Sequence, residues 1–216
     1  LWGAHPEAGP YLILVGLTLI ATLLVGGLRV PPASEPGAAE PQRDLGQIAR
    51  QGAFRVALIA AAIGYAVMIL VMTATPLAMQ QAGYSMGDAA LVMQWHVLCM
   101  FAPSFFTGTL IARFGVLNIL LTGGLLLALS ATVAISGQAV PQYWLALLLL
   151  GVGWNFLFIG GSTLLTQTHT PAERGKVQGL NDLVIFSLVA FGSLMAGALL
   201  HHLGWIGLNL SVLPFV

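Results

Sequence analysis

The chain has 216 residues, of which 58% are hydrophobic and only 6% charged, against roughly 25% charged in an ordinary soluble domain. Seven Lys+Arg balance seven Asp+Glu, so a water-soluble globular domain, a basic face for nucleic acid and an acidic tail are all excluded. The mean hydropathy of +0.92 and the 26 glycines and 11 prolines suit an integral membrane protein, whose helices tolerate both residues. One cysteine leaves no disulfide framework and no Cys-based zinc site.

A bilayer core about 30 Å thick needs about 20 apolar residues at a rise of roughly 1.5 Å each. Six stretches meet that requirement: 10–28, 56–79, 87–110, 117–136, 142–166 and 178–200. A seventh apolar run starts at Trp205 and reaches Val216, about 12 residues in and too short to cross. The chain opens on Leu1 and a polar lead with His5 and Glu7. No cationic region precedes the first apolar run, so a signal peptide is not expected. The expected arrangement is a fragment of a longer membrane protein, cut inside its last helix.

Every cation lies in one alternate set of loops. Arg29, Arg43, Arg50 and Arg55 follow the first span, Arg113 the third, Arg174 and Lys176 the fifth. The other set holds His5, Glu7, Asp88, His201 and His202. Cations near span ends are retained in the cytoplasm, so loops 29–55, 111–117 and 168–177 are expected to be cytoplasmic. Loop 29–55, which carries Pro31-Pro32-Ala33-Ser34-Glu35-Pro36-Gly37, reads as a flexible linker. It divides the chain into 1–28, 29–55 and a bundle over 56–216. Two turns carry helix-start chemistry. Ser85 with Asp88 opens the third span and Thr170 with Glu173 the sixth, each a hydroxyl followed three residues later by an acid. Pro171 stands at the first helical position.

Gly108-Thr109-Leu110-Ile111-Ala112-Arg113-Phe114-Gly115 occupies the turn after the third span. It resembles the glycine–arginine–glycine loop signature of the major facilitator superfamily, with Ala112 where an acid is expected. Pro171-Ala172-Glu173-Arg174-Gly175-Lys176-Val177-Gln178-Gly179 resembles the loop that superfamily carries two spans later. The resemblance covers essentially the whole chain. It implies an all-α integral membrane fold corresponding to helices six to twelve of a twelve-helix transporter. The other wall of the substrate path would then come from an N-terminal half, since such transporters bind near the midplane between their repeats.

Six of the seven methionines fall in one predicted hairpin: Met68, Met72, Met79, Met86, Met93 and Met100. Met68 and Met72 share one helix face, as do His96 and Met100, because residues four apart are neighbours. Folding the chain about residue 84 sets Met72 level with His96 and Met68 level with Met100, roughly 10–20 Å deep. Thioethers and an imidazole without a carboxylate form a soft, uncharged ligand set that selects Cu(I) over hard ions. Methionine is also a common filler of apolar cores. His96 at that depth is a functional candidate, with a polar interhelical bond as the structural alternative.

A four-residue Met pair on the seventh helix and a His–Met pair on the eighth resemble the CcoA-like (CalT-type) copper importers. These are a bacterial branch of the major facilitator superfamily. The resemblance implies Met68, Met72, His96 and Met100 as ligands for copper, a substrate and not a resident cofactor. It further implies import across a bacterial inner membrane in support of cbb-type cytochrome oxidase assembly. Met93 and Cys99 are candidate members of the metal path, with packing as the alternative for each. Gly108, Arg113, Gly115, Arg174 and Asp182 are candidates for the gating and structural loops. Asp182 is expected to pair with Arg113, Arg174 or Lys176 as a gate or structural latch, with a proton-coupling acid as the alternative. Pro76 and Pro103 are positioned to kink their helices, and Asn155 is a further intramembrane polar group.

No phosphate-binding Gly-rich loop with a lysine, no Ser/His/Asp order and no HExxH motif occurs, so an enzyme is not expected. Two alternatives stay open. One is a transporter of the same fold carrying an organic solute or drug, with the methionines lining its cavity. The other is a non-transporting membrane assembly subunit with His96 as a haem ligand.

Overall fold

The computed structural model describes residues 8–28 and 42–216. The first is a single helix, α1 (Ala8–Gly26), in one compact unit, and everything from Gln42 onward forms a second. The 19 residues of α1 reach nearly the thickness of a bilayer core at about 1.5 Å each. Of the expected linker 29–55, residues 29–41 lie outside the described residues.

Residues 42–55 are ordered, which corrects the expectation of a flexible linker there. Asp44 accepts the Gly46 N–H at 2.8 Å and starts the short helix α2 (Leu45–Ala49). Ile48 is fully buried in the main core. A buried apolar anchor and a satisfied cap hold this segment in place.

Five further spans follow. α3 (Gly52–Gln81) is continuous through Pro76. α4 (Met86–Phe101) and α5 (Ser104–Phe114) form one broken span, bent by 43° at Ala102–Pro103. The sequence read this as one helix over 87–110. Pro103 lacks the N–H that would continue the ladder, and its ring clashes with the preceding turn. α6 (Val116–Ile135) and α7 (Val140–Thr166) are uninterrupted. α8 (Arg174–Val212) is entered through a 3₁₀ turn at Pro171–Glu173 and broken at Gly204. Gly204 has φ 67° and ψ 179°, a region open essentially to glycine alone. The seventh apolar run therefore starts as a separate helix at Trp205, as the sequence implied.

Both expected capping boxes form. Ser85 Oγ accepts the Asp88 N–H at 3.1 Å and Asp88 accepts the Ser85 N–H at 3.1 Å. Thr170 and Glu173 do the same. Within the bundle α7 is the central helix, packed against α3, α4 and α6, while α8 lies along α3. Polar bonds pin its neighbours: Ser130 Oγ of α6 donates to Ala146 O of α7 at 2.7 Å, and Trp205 Nε1 donates to Ala134 O at 2.9 Å. Such bonds satisfy groups that hydrocarbon cannot.

Candidate functional site

One face of α7 organises the site. Leu147, Gly151, Trp154 and Phe158 follow the spacing of a single helical stripe. α4 lies against the first part of this stripe. His96 is fully buried and its Nδ1 lies 2.8 Å from Leu147 O. A carbonyl only accepts, so Nδ1 is the donor. Nε2 has no partner among the described residues. His96 thus makes the interhelical polar bond that the sequence offered as the structural alternative.

One turn further, Asn155 clamps the bend. Its Nδ2 donates to Met100 O at 2.7 Å and to Ser104 Oγ at 2.7 Å, while its Oδ1 accepts from Thr107 Oγ1 at 2.7 Å. Thr107 Oγ1 also lies 2.8 Å from Pro103 O. Asn155 and Thr107 are buried, so the break at Pro103 is re-satisfied by side chains where lipid offers no water. The sequence pointed to Asn155 but not to Ser104 and Thr107, because the partners sit about 50 positions away on another helix.

Beyond the clamp, the methionines meet. Met68, Met100 and Trp154 form one buried cluster, with Met72, Tyr65 and Phe158 against it. An aromatic group surrounds them. Tyr65 stands edge-on to Trp154 at 5.1 Å and to Phe158 at 5.4 Å, and Trp154 stacks on Phe158 at 5.2 Å and 7°. Phe101 of α4 reaches Trp154 at 6.0 Å and Phe186 of α8 reaches Tyr65 at 6.5 Å. None of these five rings was singled out from the sequence. Tyr65 shares a helix face with Met68 and Met72, and that spacing was the available signal.

The remaining candidates divide. Met93 packs against the main core with Met79, away from the Met68–Met100 cluster. Cys99 is half-buried and free. Gly115 ends α5 with φ 84°, a left-handed position that favours glycine, while Gly108 meets no close neighbour. Arg113 lies over the Phe114 ring at 5.2 Å, and Arg174 Nε reaches Gln178 Oε1 at 3.4 Å. Asp182 is exposed and, among the described residues, accepts only from Asn181 at 3.2 Å. The expected pairing of Asp182 with Arg113, Arg174 or Lys176 does not form. No group of three or more His, Cys, Asp or Glu among the described residues could hold a metal, a count that leaves thioethers aside.

An ion pair does form, between partners the sequence did not join. Arg43 Nη2 meets Glu173 Oε2 at 2.6 Å, and Arg43 Nε and its backbone N–H both donate to Glu173 Oε1, at 2.9 and 2.8 Å. Lys176 Nζ donates to Arg43 O, and Gln51 Nε2 and Arg43 Nη2 share Thr168 O. The Arg43 guanidinium first, then the Thr170 N–H, hold the Glu173 carboxyl well below the usual carboxylate range. Glu173 combines the expected helix cap with a tether 130 positions away.

A carboxylate held low in the fold contributes its full stability above the ordinary carboxylate range, and that contribution fades progressively as pH falls from that range toward the native value. The melting gap between wild type and Glu173→Gln is therefore expected to be constant from about pH 8 to about pH 5. It closes as the pH drops below about 4. A gap that widens on acidification would refute the tether.

Comparison with known proteins agrees with this architecture. Residues 57–216 match the Major Facilitator Superfamily family model. The chain is 48% identical over 211 residues to the riboflavin transporter RfnT of Brucella anthropi, covering 97% of this chain and 53% of that protein. It is 30% identical over 222 residues to the uncharacterized MFS-type transporter YdeG of Bacillus subtilis, covering 96% and 51%. It is 33% identical over 147 residues to YddS of the same organism, covering 67% and 34%. The chain thus spans about half the length of the first two relatives. No solved structure matches it. A bundle of apolar membrane-spanning helices, a broken span clamped from its neighbour, and a family match over most of its length together place the chain in the Major Facilitator Superfamily.

Proposed function

We propose that this sequence is the C-terminal half of a transporter that carries riboflavin, or a solute of the same flat heteroaromatic class, across a bacterial inner membrane by alternating access. Residues 1–28 would be the last helix of the N-terminal half, 29–55 the joint between halves, and 56–216 one wall of the path. Loops 29–55, 111–117 and 168–177 would face the cytoplasm. The observation that carries the substrate class is the 48% identity, over 97% of this chain, to a protein named as a riboflavin transporter. The aromatic group on α3, α4, α7 and α8 suits a flat ring. Of the readings that the sequence left open, an organic solute is the one these observations favour.

Copper import is a second reading, motivated by the grouping of Met68, Met72 and Met100. None of the three relatives above lends it support, and His96 Nδ1 is already engaged by Leu147 O. The two readings separate in one experiment. The full-length protein is expressed in cells that cannot make riboflavin, and growth on limiting riboflavin and cellular copper are both measured. Expected are rescued growth and unchanged copper. A Met68→Leu, Met72→Leu, Met100→Leu variant keeps volume while removing sulfur, and its riboflavin uptake should stay within about threefold of wild type. Raised copper that this variant abolishes, with no riboflavin rescue, would reverse the assignment.

A further inference from the structure

Trp154 carries a group that the fold leaves unsatisfied. The residue is 3% exposed, yet its indole Nε1–H has no acceptor among the described residues. A buried indole N–H ordinarily finds a partner, and leaving a donor unpaired in a dry surrounding is costly. The other wall of this environment offers rings and thioethers: Tyr65, Phe158 and Phe101, with Met68, Met72 and Met100. Trp205 of the same chain makes the contrast. It is also buried, and its Nε1 donates to Ala134 O at 2.9 Å.

The ring contacts run in a chain from Phe101 through Trp154 and Tyr65 to Phe186. The two inner rings are sheltered, while the two ends are open, Phe101 at 57% and Phe186 at 59% exposed. Exposed side chains change rotamer freely, so the ends can turn aside while Trp154 and Tyr65 stay fixed by packing. The result is a rigid aromatic floor with movable edges and one donor waiting in the floor.

We propose that the half-buried Tyr65 ring stacks on the ligand's fused ring system once Phe186 turns aside, and that Trp154, at right angles to Tyr65 and uncovered as Phe101 moves, donates its Nε1–H to a carbonyl oxygen or ring nitrogen on the ligand's edge. The substrate class is a planar, fused heteroaromatic with an acceptor at its rim. A simple hydrocarbon ring lacks the acceptor, and a sugar or an aliphatic amino acid lacks the flat face. The methionines then act as soft packing at the ring's rim, where thioethers contact aromatics favourably. This inference rests on the riboflavin reading above and assigns the residues that would execute it.

The test uses the full-length protein purified in detergent, with riboflavin as the probe and quenching of its own fluorescence as the readout, beside uptake in cells. Trp154→Phe keeps a ring and removes the donor, so binding should weaken about three- to tenfold. Trp154→Leu removes both and should weaken it about tenfold or more. Phe186→Ala alters an exposed residue at the end of the ring chain, and should weaken binding about threefold. That third variant keeps the proposal falsifiable if Trp154 variants fail to fold. Met93→Leu, in the main core, should bind as wild type. If wild type binds riboflavin and all three aromatic variants bind equally well, the platform is wrong while the substrate stands. If wild type neither binds nor imports riboflavin, the substrate reading has failed and the platform falls with it.

Discussion

Replacing Asn155 by leucine is expected to lower the melting midpoint of the purified protein more than any other single polar substitution in the bundle. The asparagine makes three bonds across the bend between α4 and α5, each at 2.7 Å. The bend at Pro103 takes the Ser104 N–H away from Met100 O, its partner in an unbroken helix, so Met100 O depends on Asn155 Nδ2. A buried carbonyl left without a donor costs about 1–3 kcal/mol. Interhelical hydrogen bonds in membranes average only about 0.6 kcal/mol, because the unfolded chain also finds partners. The Asn155 effect should exceed that average, since the bend itself orphans the carbonyl and leucine must also fit beside Ser104 and Thr107. Thr107→Val removes one bond while Met100 O stays satisfied, and should cost roughly a third as much. Equal midpoints for Asn155→Leu and wild type would show that the clamp contributes nothing.

The second large effect is expected at Gly151. A Cβ placed there would lie 2.8 Å from His96 O, 3.1 Å from Met100 N and 3.2 Å from the Cys99 carbonyl carbon. All three atoms are backbone, so no side chain can swing aside. α4 would have to retreat from α7, stretching the His96–Leu147 and Asn155–Met100 bonds with it. Overpacking alone costs about 1–3 kcal/mol, and the strained bonds add to it. Gly151→Val should therefore abolish the monodisperse fraction after detergent extraction, and Gly151→Ala should reduce it. Gly197→Val is the control, because a Cβ there meets nothing within 4 Å. Comparable yields for the valine variants at 151 and 197 would mean that the helices are not in close approach.

Asn155 and Gly151 belong to one junction, where α4 meets α7, and the sequence revealed only half of it. The polar residues were visible as exceptions in apolar runs, and His96 and Asn155 drew notice for that reason. Their partners were not visible. Leu147 O and Met100 O are backbone atoms, which leave no signature in side-chain pattern. The Arg43–Glu173 pair joins segments 130 positions apart, and each residue had a sufficient local explanation as a loop cation or a helix cap. Asp182 drew the pairing instead because it stands near three cations by topology, yet its side chain is exposed and unpaired with any of them.

The methionine ladder shows a similar limit. Level pairing of Met68 with Met100 follows from the rise per residue and one turn position, and both side chains join one buried cluster. What the thioethers face depends on rotation about each helix axis. That rotation turns them to Trp154, Tyr65 and Phe158, and turns His96 Nδ1 to Leu147 O. Soft ligands and soft packing are the same atoms.

Composition and apolar run length alone determined the membrane solvent, the spans and their all-helical character, because a lipid core admits few ways to satisfy a backbone. Local chemistry determined the helix starts at Ser85 and Thr170, because a cap is complete within four residues. Only the tertiary structure decided the bend clamped by Asn155, the ordering of residues 42–55 by Ile48 and Glu173, and the aromatic floor around Trp154. Each depends on groups far apart in the chain, and which faces meet is settled by the packing of whole helices and not by any one segment.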